Sequence, residues 1–129
     1  LEQYEIPCKV GHTGKTWNMK MSCKVNGKEV STGNLGDMDW TFAEIIERVS
    51  YGVNVFPGDV IGSGTVGTGC FLELNGTGKL NDPNYQEHWL QEGDVVEMEI
   101  EGLGLLSNTM VKEDSNFSLL SIKKNISGE

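Results

Sequence analysis

Pro57-Gly58-Asp59-Val60-Ile61-Gly62-Ser63-Gly64-Thr65 is one of two similar segments in this chain, the other being Glu-Gly-Asp-Val-Val-Glu-Met-Glu-Ile at positions 92–100. In each, a Gly-Asp turn leads into an apolar run, which is typical of a turn followed by a β-strand. The aspartates, Asp59 and Asp94, are expected to accept backbone amides of their own turns. The first run continues into a glycine-rich stretch, residues 62–69, so the sequence predicts strands that hold a small polar loop.

Strand signals recur along most of the chain. Residues 17–25 alternate apolar and polar side chains, and Asn26-Gly27 then predicts a tight hairpin turn into a return strand over 28–32. Residues 95–101 alternate in the same way, with the apolar side chains of Val96, Met98 and Ile100 on one face. Further strands are predicted at 60–61, 71–74 and 105–112. Residues 117–122 alternate weakly, which predicts either an edge strand or a segment ordered only by packing.

One helix is predicted over residues 41–51. Thr41 and Glu44 have the spacing of a capping box, in which each side chain binds the other residue's backbone amide. Phe42, Ile45, Ile46 and Val49 follow at helical spacing and form one apolar stripe. Gly52 is a suitable residue just past the helix end.

These elements predict a mostly β protein with one helix, an α+β fold built on a curled sheet or roll. The 129 residues form one domain or part of one, long enough for a sizeable core. Residues 75–88 are interpreted as a polar insertion, either a lid or, as the favoured reading, a surface loop. Because the chain begins at Leu1 without an initiator Met, we expect a processed or fragmentary product.

The formal net charge of −9 argues against nucleic acid and anionic membranes as partners, because both require clustered Lys and Arg. Three cysteines, Cys8, Cys23 and Cys70, have neither the even count of a disulfide framework nor zinc-site spacing. Cys23 and Cys70 lie in apolar runs and are expected in the core. These features favour a reducing compartment, and we expect a cytoplasmic location.

Four sets of residues leave alternatives open. Glu97, Glu99 and Glu101 can bind a divalent cation, but a solvated strand face is the favoured reading. Cys8 and His12 are four residues apart, but no second pair completes a metal site. His88 is interpreted as a partly exposed loop histidine, with a general base as the alternative. The glycine-rich stretch 62–69 can approach a ligand closely or merely form a tight turn. Asp37 or Asp39 can complement the N-terminus of the predicted helix.

Four motifs in order resemble the C-terminal half of the fumarylacetoacetate hydrolase superfamily, over about residues 17–112. They are VNGK at 25–28, GNLGDM at 33–38, FPGDVIGSGT at 56–65 and LQEGDVVEMEIEGLGLLSN at 90–108. The resemblance implies a mixed β-roll, typically in a homodimer. It also implies activity on keto or diketo acids by C–C hydrolysis, decarboxylation or dehydration, with Mg²⁺ as the Lewis acid.

Within this resemblance, Thr65 matches a threonine that contacts substrate in family members, and Ser63 and Gly64 shape its loop. Val66 stands where the family has proline. The family's Glu-x-Glu and Asp metal ligands, its His-Glu pair and its Lys belong upstream of the matched segment. We therefore assign no metal ligand and no catalytic residue to this chain. The alternative hypothesis is a non-catalytic binding or oligomerisation module that keeps the roll without the metal site.

Overall fold

The computed structural model describes residues 1–114; the edge strand predicted at 117–122 lies outside them. Six strands and two α-helices are connected by turns and loops. In chain order these are β1 (Glu5–Ile6), β2 (Thr16–Trp17), β3 (Lys20–Val25), β4 (Lys28–Asn34), α1 (Phe42–Val49), α2 (Phe71–Asn81), β5 (Val95–Ile100) and β6 (Gly104–Thr109). Short 3₁₀ turns lie at Glu2–Tyr4 and Leu35–Asp37.

A four-stranded antiparallel sheet, in the order β4-β3-β5-β6, is the main scaffold, and β1 pairs with β2 in a second sheet. The hairpin predicted at Asn26-Gly27 is confirmed, since both residues have positive φ, 51° and 77°. The strand predicted over 17–25 is interrupted. Its first residue belongs to β2, and β3 begins only at Lys20, after the buried Met19.

The two faces of the main sheet differ in chemistry, as the alternation predicted. On one face, Met21, Cys23 and Val25 of β3 lie opposite Ile100, Met98 and Val96 of β5. On the other face, Lys24 lies opposite Glu97, and Ser22 lies opposite Glu99. Opposite charges facing each other across strands are the arrangement of a solvated face.

The apolar side of the sheet is incompletely covered. Met98 is 44% exposed and Leu106, its neighbour on β6, is 57% exposed. Among the residues that the structure describes, Met19 is the only buried hydrophobic side chain. The expectation of a sizeable core is therefore wrong for residues 1–114, because their apolar faces are not closed by their own side chains. Cys23 is half-buried on this face, whereas Cys70, also expected in the core, is exposed.

Helix α1 begins as predicted. The Thr41 hydroxyl accepts the Glu44 amide at 3.3 Å, and the Glu44 carboxylate accepts the Thr41 amide at 2.8 Å, which completes the capping box. The helix ends at Val49, and Gly52 follows with φ +79°. The capping box and the glycine after the helix each involve residues only a few positions apart, which is why the sequence predicts them.

Helix α2 corrects two predictions. Residues 71–74, expected to be a strand, form its first turn, and the insertion predicted over 75–88 is half helix. The sequence does not predict this helix because it contains Gly76 and Gly78, and glycine in a helix interior is unfavourable. The glycine at 78 is explained by packing: a Cβ there would lie 2.5 Å from the Tyr85 ring.

A buried asparagine holds the returning chain against α2. Asn75 is 2% exposed, and its side chain donates to the His88 carbonyl at 2.8 Å and accepts the His88 amide at 3.0 Å. The Tyr85 hydroxyl reaches the same side chain at 3.4 Å. Residues 75–88 are therefore a helix closed by a pinned return segment and not a simple surface loop.

The fold class is α+β, as predicted, but with two helices instead of one. The strand predicted at 60–61 is absent, and Val60 is almost fully exposed. Within residues 1–114 the strands form two antiparallel sheets and no closed barrel. None of the helices in this part of the chain is long and apolar enough to cross a bilayer.

Candidate functional site

A cleft of about 520 Å³ lies where the end of β4 approaches residues 62–67. Its first wall is the turn after β4, with Asn34, Asp37 and Asp39. Its second wall is the glycine loop, the name we use for residues 62–69. Met21 of β3 and Ile45 of α1 also line it. Two of the sequence motifs, about thirty residues apart, thus meet at one cavity.

The structure places all three predicted substrate-binding residues in this cleft. Ser63, Gly64 and Thr65 line it and are exposed, and Gly64 has φ +100°, which favours glycine. Whether they bind a substrate stays a prediction. The loop does not connect two strands as expected, because α2 follows it and no strand precedes it.

Asn34 shapes the first wall and has little capacity left for a ligand. Its Oδ1 accepts the Gly36 amide at 2.8 Å, and its Nδ2 donates to Asn18 Oδ1 at 2.7 Å. This local bond caps the Leu35–Asp37 turn. The turn brings Asp37 and the following residues to the cleft.

Lys9 is a cation near the cleft that sequence reasoning missed. Its Nζ lies 3.3 Å from Asp39 Oδ1 and 3.2 Å from the backbone oxygen of Asp37. The structure pairs Asp39 with this lysine, and the complementing of the N-terminus of α1 by Asp37 or Asp39 stays a prediction. A separation of thirty residues leaves no local pattern by which the contact can be predicted.

Beside the cleft, four residues form a polar group that we call the Glu44 cluster: His12, Thr13, Thr41 and Glu44. The Glu44 carboxylate accepts the Thr13 amide at 3.0 Å and contacts His12 Nδ1 at 3.1 Å. The Thr41 hydroxyl donates to the Thr13 carbonyl at 2.5 Å. The Thr41 amide, with smaller contributions from Thr13 and His12, lowers the pKa of Glu44 to about 2.

The Glu44 cluster supports one wall of the cleft through an aromatic contact. The His12 and Trp40 rings meet edge to face with their centroids 5.2 Å apart, and Trp40 lines the cleft. His12 is thus held between Glu44 and Trp40, with 16% of its side chain exposed. His88 is held by Asn75 through its backbone, and its ring meets Tyr85 edge to face.

The carboxylates of β5 lie away from this cleft, on the charged face of the sheet. Glu97 is half-buried, while Glu99 and Glu101 are exposed near Lys20 and Lys24. Within residues 1–114, no three His, Cys, Asp or Glu side chains are grouped so that they can hold a metal ion. Asp37 and Asp39 in the cleft are only two carboxylates, one of them paired with Lys9.

The sequence of the cleft motifs matches one known protein family. The family model described as the C-terminal domain of fumarylacetoacetate (FAA) hydrolase covers residues 7–111. The chain belongs to the fumarylacetoacetate hydrolase family. The match includes both walls of the cleft, the Glu44 cluster and all of the main sheet, so the resemblance carried by the four motifs is confirmed.

Several curated relatives are similar to this chain at 32–37% identity. The human mitochondrial oxaloacetate tautomerase FAHD2A is 37% identical over 94 residues, which are 73% of this chain and 26% of the relative. The oxaloacetate tautomerase YisK of Bacillus subtilis is 32% identical over 90 residues, 70% of this chain and 26% of the relative. The chain thus spans about a quarter of the length of these relatives.

Proposed function

We propose that this chain is the C-terminal part of a catalytic domain that acts on a keto acid, with the cleft contributing to substrate binding. The observation that supports this most is the meeting of the Asn34–Asp39 and 62–67 segments at one cavity. Oxaloacetate is our first candidate substrate because two relatives are named as oxaloacetate tautomerases. Diketo-acid cleavage, decarboxylation and dehydration are the other reactions that the family suggests.

The groups in the cleft suit the oxygen atoms of a keto acid. The hydroxyls of Ser63 and Thr65 can donate hydrogen bonds to a carboxylate or a carbonyl. Gly62, Gly64 and Gly67 of the same loop have no side chain beyond a hydrogen, so the backbone at these positions can come close to a ligand. Thr65 has the role of binding and orienting the substrate in this proposal, and no proton transfer is assigned to it.

The charge of the cleft makes a cation necessary. Asp37 and Asp39 would repel a dicarboxylate, and Lys9 balances only part of that charge. Members of this family are typically metal-dependent, and Mg²⁺ would polarise the keto-acid oxygens. The described residues do not provide its ligand set, so we place those ligands outside this chain and assign no step to the metal here.

The uncovered apolar face supports a second part of the proposal. Met98 and Leu106 are about half exposed on the sheet face that also carries Val96 and Ile100, and such exposed apolar side chains mark a surface that further polypeptide can cover. A homodimer, or the preceding part of the same enzyme, would complete the roll in this way. We also propose a cytoplasmic location, in keeping with the three free thiols.

Replacing Thr65 tests the proposal in the whole protein. Thr65→Val keeps the shape of the side chain and removes the hydroxyl. Because a hydrogen bond to a charged group contributes about 1.5–3 kcal/mol, kcat/KM for oxaloacetate tautomerisation should fall about 10- to 150-fold. Thr32→Val, an exposed threonine on β4, is the matched control and should change little. Equal rates for Thr65→Val and wild type would argue against the assigned role.

A non-catalytic binding or oligomerisation module is the second candidate. It is favoured by one observation, that residues 1–114 hold no group of three metal-ligating side chains. The 129-residue chain by itself should then show neither Mg²⁺-dependent turnover of a keto acid nor stoichiometric Mg²⁺ binding in calorimetry. Turnover by the whole protein would exclude this candidate, and tight Mg²⁺ binding by the chain alone would return attention to Glu97, Glu99 and Glu101.

A further inference from the structure

Val66 is the one partly buried residue in the exposed stretch from Phe56 to Cys70. Every other residue of that stretch, including Ser63 and Thr65, is exposed. An exposed segment with a single buried side chain is held to the body of the protein mainly by that side chain. The position of the glycine loop therefore depends on what Val66 contacts.

Val66 is seated on the bare backbone of Gly33 in β4. A Cβ at position 33 would lie 2.6 Å from Val66 Cγ1 and 3.5 Å from Met21 Cε. Carbon atoms in packed interiors stay about 3.5–4.0 Å apart. Val66 therefore occupies the space that a side chain at position 33 would need. Met21, which pairs with Gly33 in the sheet, lies beside it.

A tight turn fixes the backbone of Val66 from the other side. The Gly69 amide donates to the Val66 carbonyl at 2.8 Å, and Thr68 has φ +64°, a left-handed value that is rare for threonine. A Cβ at position 69 would lie 2.5 Å from the same carbonyl oxygen. The turn thus requires glycine at 69 and holds Val66 with its side chain toward Gly33.

We propose that Val66 is a positioning residue, whose contact with Gly33 fixes Thr65 and Ser63 in the cleft. Thr65 is its direct neighbour in sequence, so any displacement of Val66 moves the Thr65 hydroxyl. Positions 33 and 66 form one unit, in which a branched side chain at 66 requires glycine at 33. We call the contact between Val66 and Gly33 the anchor, and it is inferred from geometry alone. Its effect on the binding of a keto acid rests on the proposed function.

A double-mutant cycle in the whole protein tests the anchor. The variants are Gly33→Ala, Val66→Ala and the two combined, and the readout is the ¹⁵N order parameter of the amides at 63–67. Gly33→Ala and Val66→Ala should each lower it from the rigid value of about 0.85 to below about 0.6. In the Val66→Ala background, Gly33→Ala should change it little, because the γ-methyl groups that it would strike are gone.

Two controls keep the result interpretable. Amides of β3 and β5 report whether a variant is folded, and Gly62→Ala, at a position with nothing within 4 Å, should leave the loop unchanged. If Gly33→Ala unfolds the protein, the order parameters of Val66→Ala alone test the proposal. The proposal is overturned by an unchanged loop in Val66→Ala, or by an equal effect of Gly33→Ala in both backgrounds.

The same variants separate the anchor from the proposed function. If oxaloacetate is the substrate, Gly33→Ala should raise KM about tenfold or more, and adding Val66→Ala should cause no further rise. If the wild-type protein does not turn over oxaloacetate, the proposed substrate is wrong, while the order parameters still decide whether Val66 positions the loop.

Discussion

The Glu44 cluster lies beside the cleft and the glycine loop forms one of its walls, and the two are held in opposite ways. In the cluster, one carboxylate contacts three other residues through polar atoms and orders the chain around the start of α1. In the loop, the described anchors are one half-buried valine and one backbone turn. The cluster is thus held by several polar contacts, whereas the groups proposed to meet a ligand depend on one apolar contact and one turn, on a loop carried by a scaffold.

The largest effect should come from a methyl group added next to the Glu44 cluster. At Gly14, a Cβ would lie 2.9 Å from Ala43 Cβ and 3.0 Å from the Thr41 hydroxyl. Gly11 has a similar φ, +88° against +94°, but nothing within 4 Å. Gly14→Ala should therefore lower the free energy of unfolding by about 1–3 kcal/mol more than Gly11→Ala in urea denaturation. Equal losses of unfolding free energy in the two variants would mean that Ala43 and Thr41 move aside at little cost.

The next effect concerns the cap itself. Thr41→Ala removes the acceptor of the Glu44 amide and the donor to the Thr13 carbonyl. The free energy of unfolding should fall by about 0.5–2 kcal/mol. Ser50→Ala, at the other end of the same helix and exposed, should stay within about 0.5 kcal/mol of wild type. A smaller loss in Thr41→Ala than in Ser50→Ala would show that the cap is dispensable.

The two regions should also differ in their response to acid. The pKa of Glu44 is lowered from 4.5 to about 2 by the amide of Thr41 and its other partners. A lowered pKa in the folded state means that the stabilisation is complete above about pH 5 and is lost as the pH falls toward 2. Thermal denaturation across this range should show a shallower decline in Glu44→Gln than in wild type.

The exposed Glu92→Gln is the matched control for that experiment and should follow the wild-type curve. Residues 62–69 contain no titratable side chain. The order parameters of the loop should thus be the same at pH 5 and at the lowest pH where β3 and β5 are still folded. A loop that loosens over this range, in which Glu44 begins to be protonated, would show that it depends on the cluster after all.

The smallest effect should come from the loop. Gly62→Ala places a methyl group where no atom lies within 4 Å and where φ is not positive. The free energy of unfolding should change by less than about 0.5 kcal/mol. A large loss would reveal a partner for this part of the loop that residues 1–114 do not supply.

What the sequence predicts well is local. The capping box at Thr41 and Glu44, the hairpin at Asn26-Gly27 and the turn bonds of Asp59 and Asp94 each join residues at most three apart. Four motifs in order were enough to identify the family, and the loop residues that they single out line the cleft. The Asn26 side chain contacts Asp94 and, together with the Gln91 amide, lowers the pKa of that carboxyl, a link the motifs did not suggest.

The features that the sequence does not predict depend on contacts between residues far apart in the chain. Helix α2 has glycines at 76 and 78, and its return segment is bonded to Asn75, thirteen residues before His88. Lys9 meets Asp39 across thirty residues, and Val66 meets Gly33 across a similar interval. In each pair, neither residue shows a periodic or capping pattern that would indicate its partner.

Asn75 also has a practical consequence for producing this protein. With Gly76 and Thr77 it forms a sequence that oligosaccharyltransferase recognises in the secretory pathway. Its side-chain nitrogen is the atom that would carry a glycan, and in the folded protein that atom donates to the His88 carbonyl. A sugar attached during translocation would keep α2 and its return segment apart, so secretion from eukaryotic cells should give misfolded material. Expression in a bacterial cytoplasm, or an Asn75 sequon disabled by Thr77→Ala, avoids this.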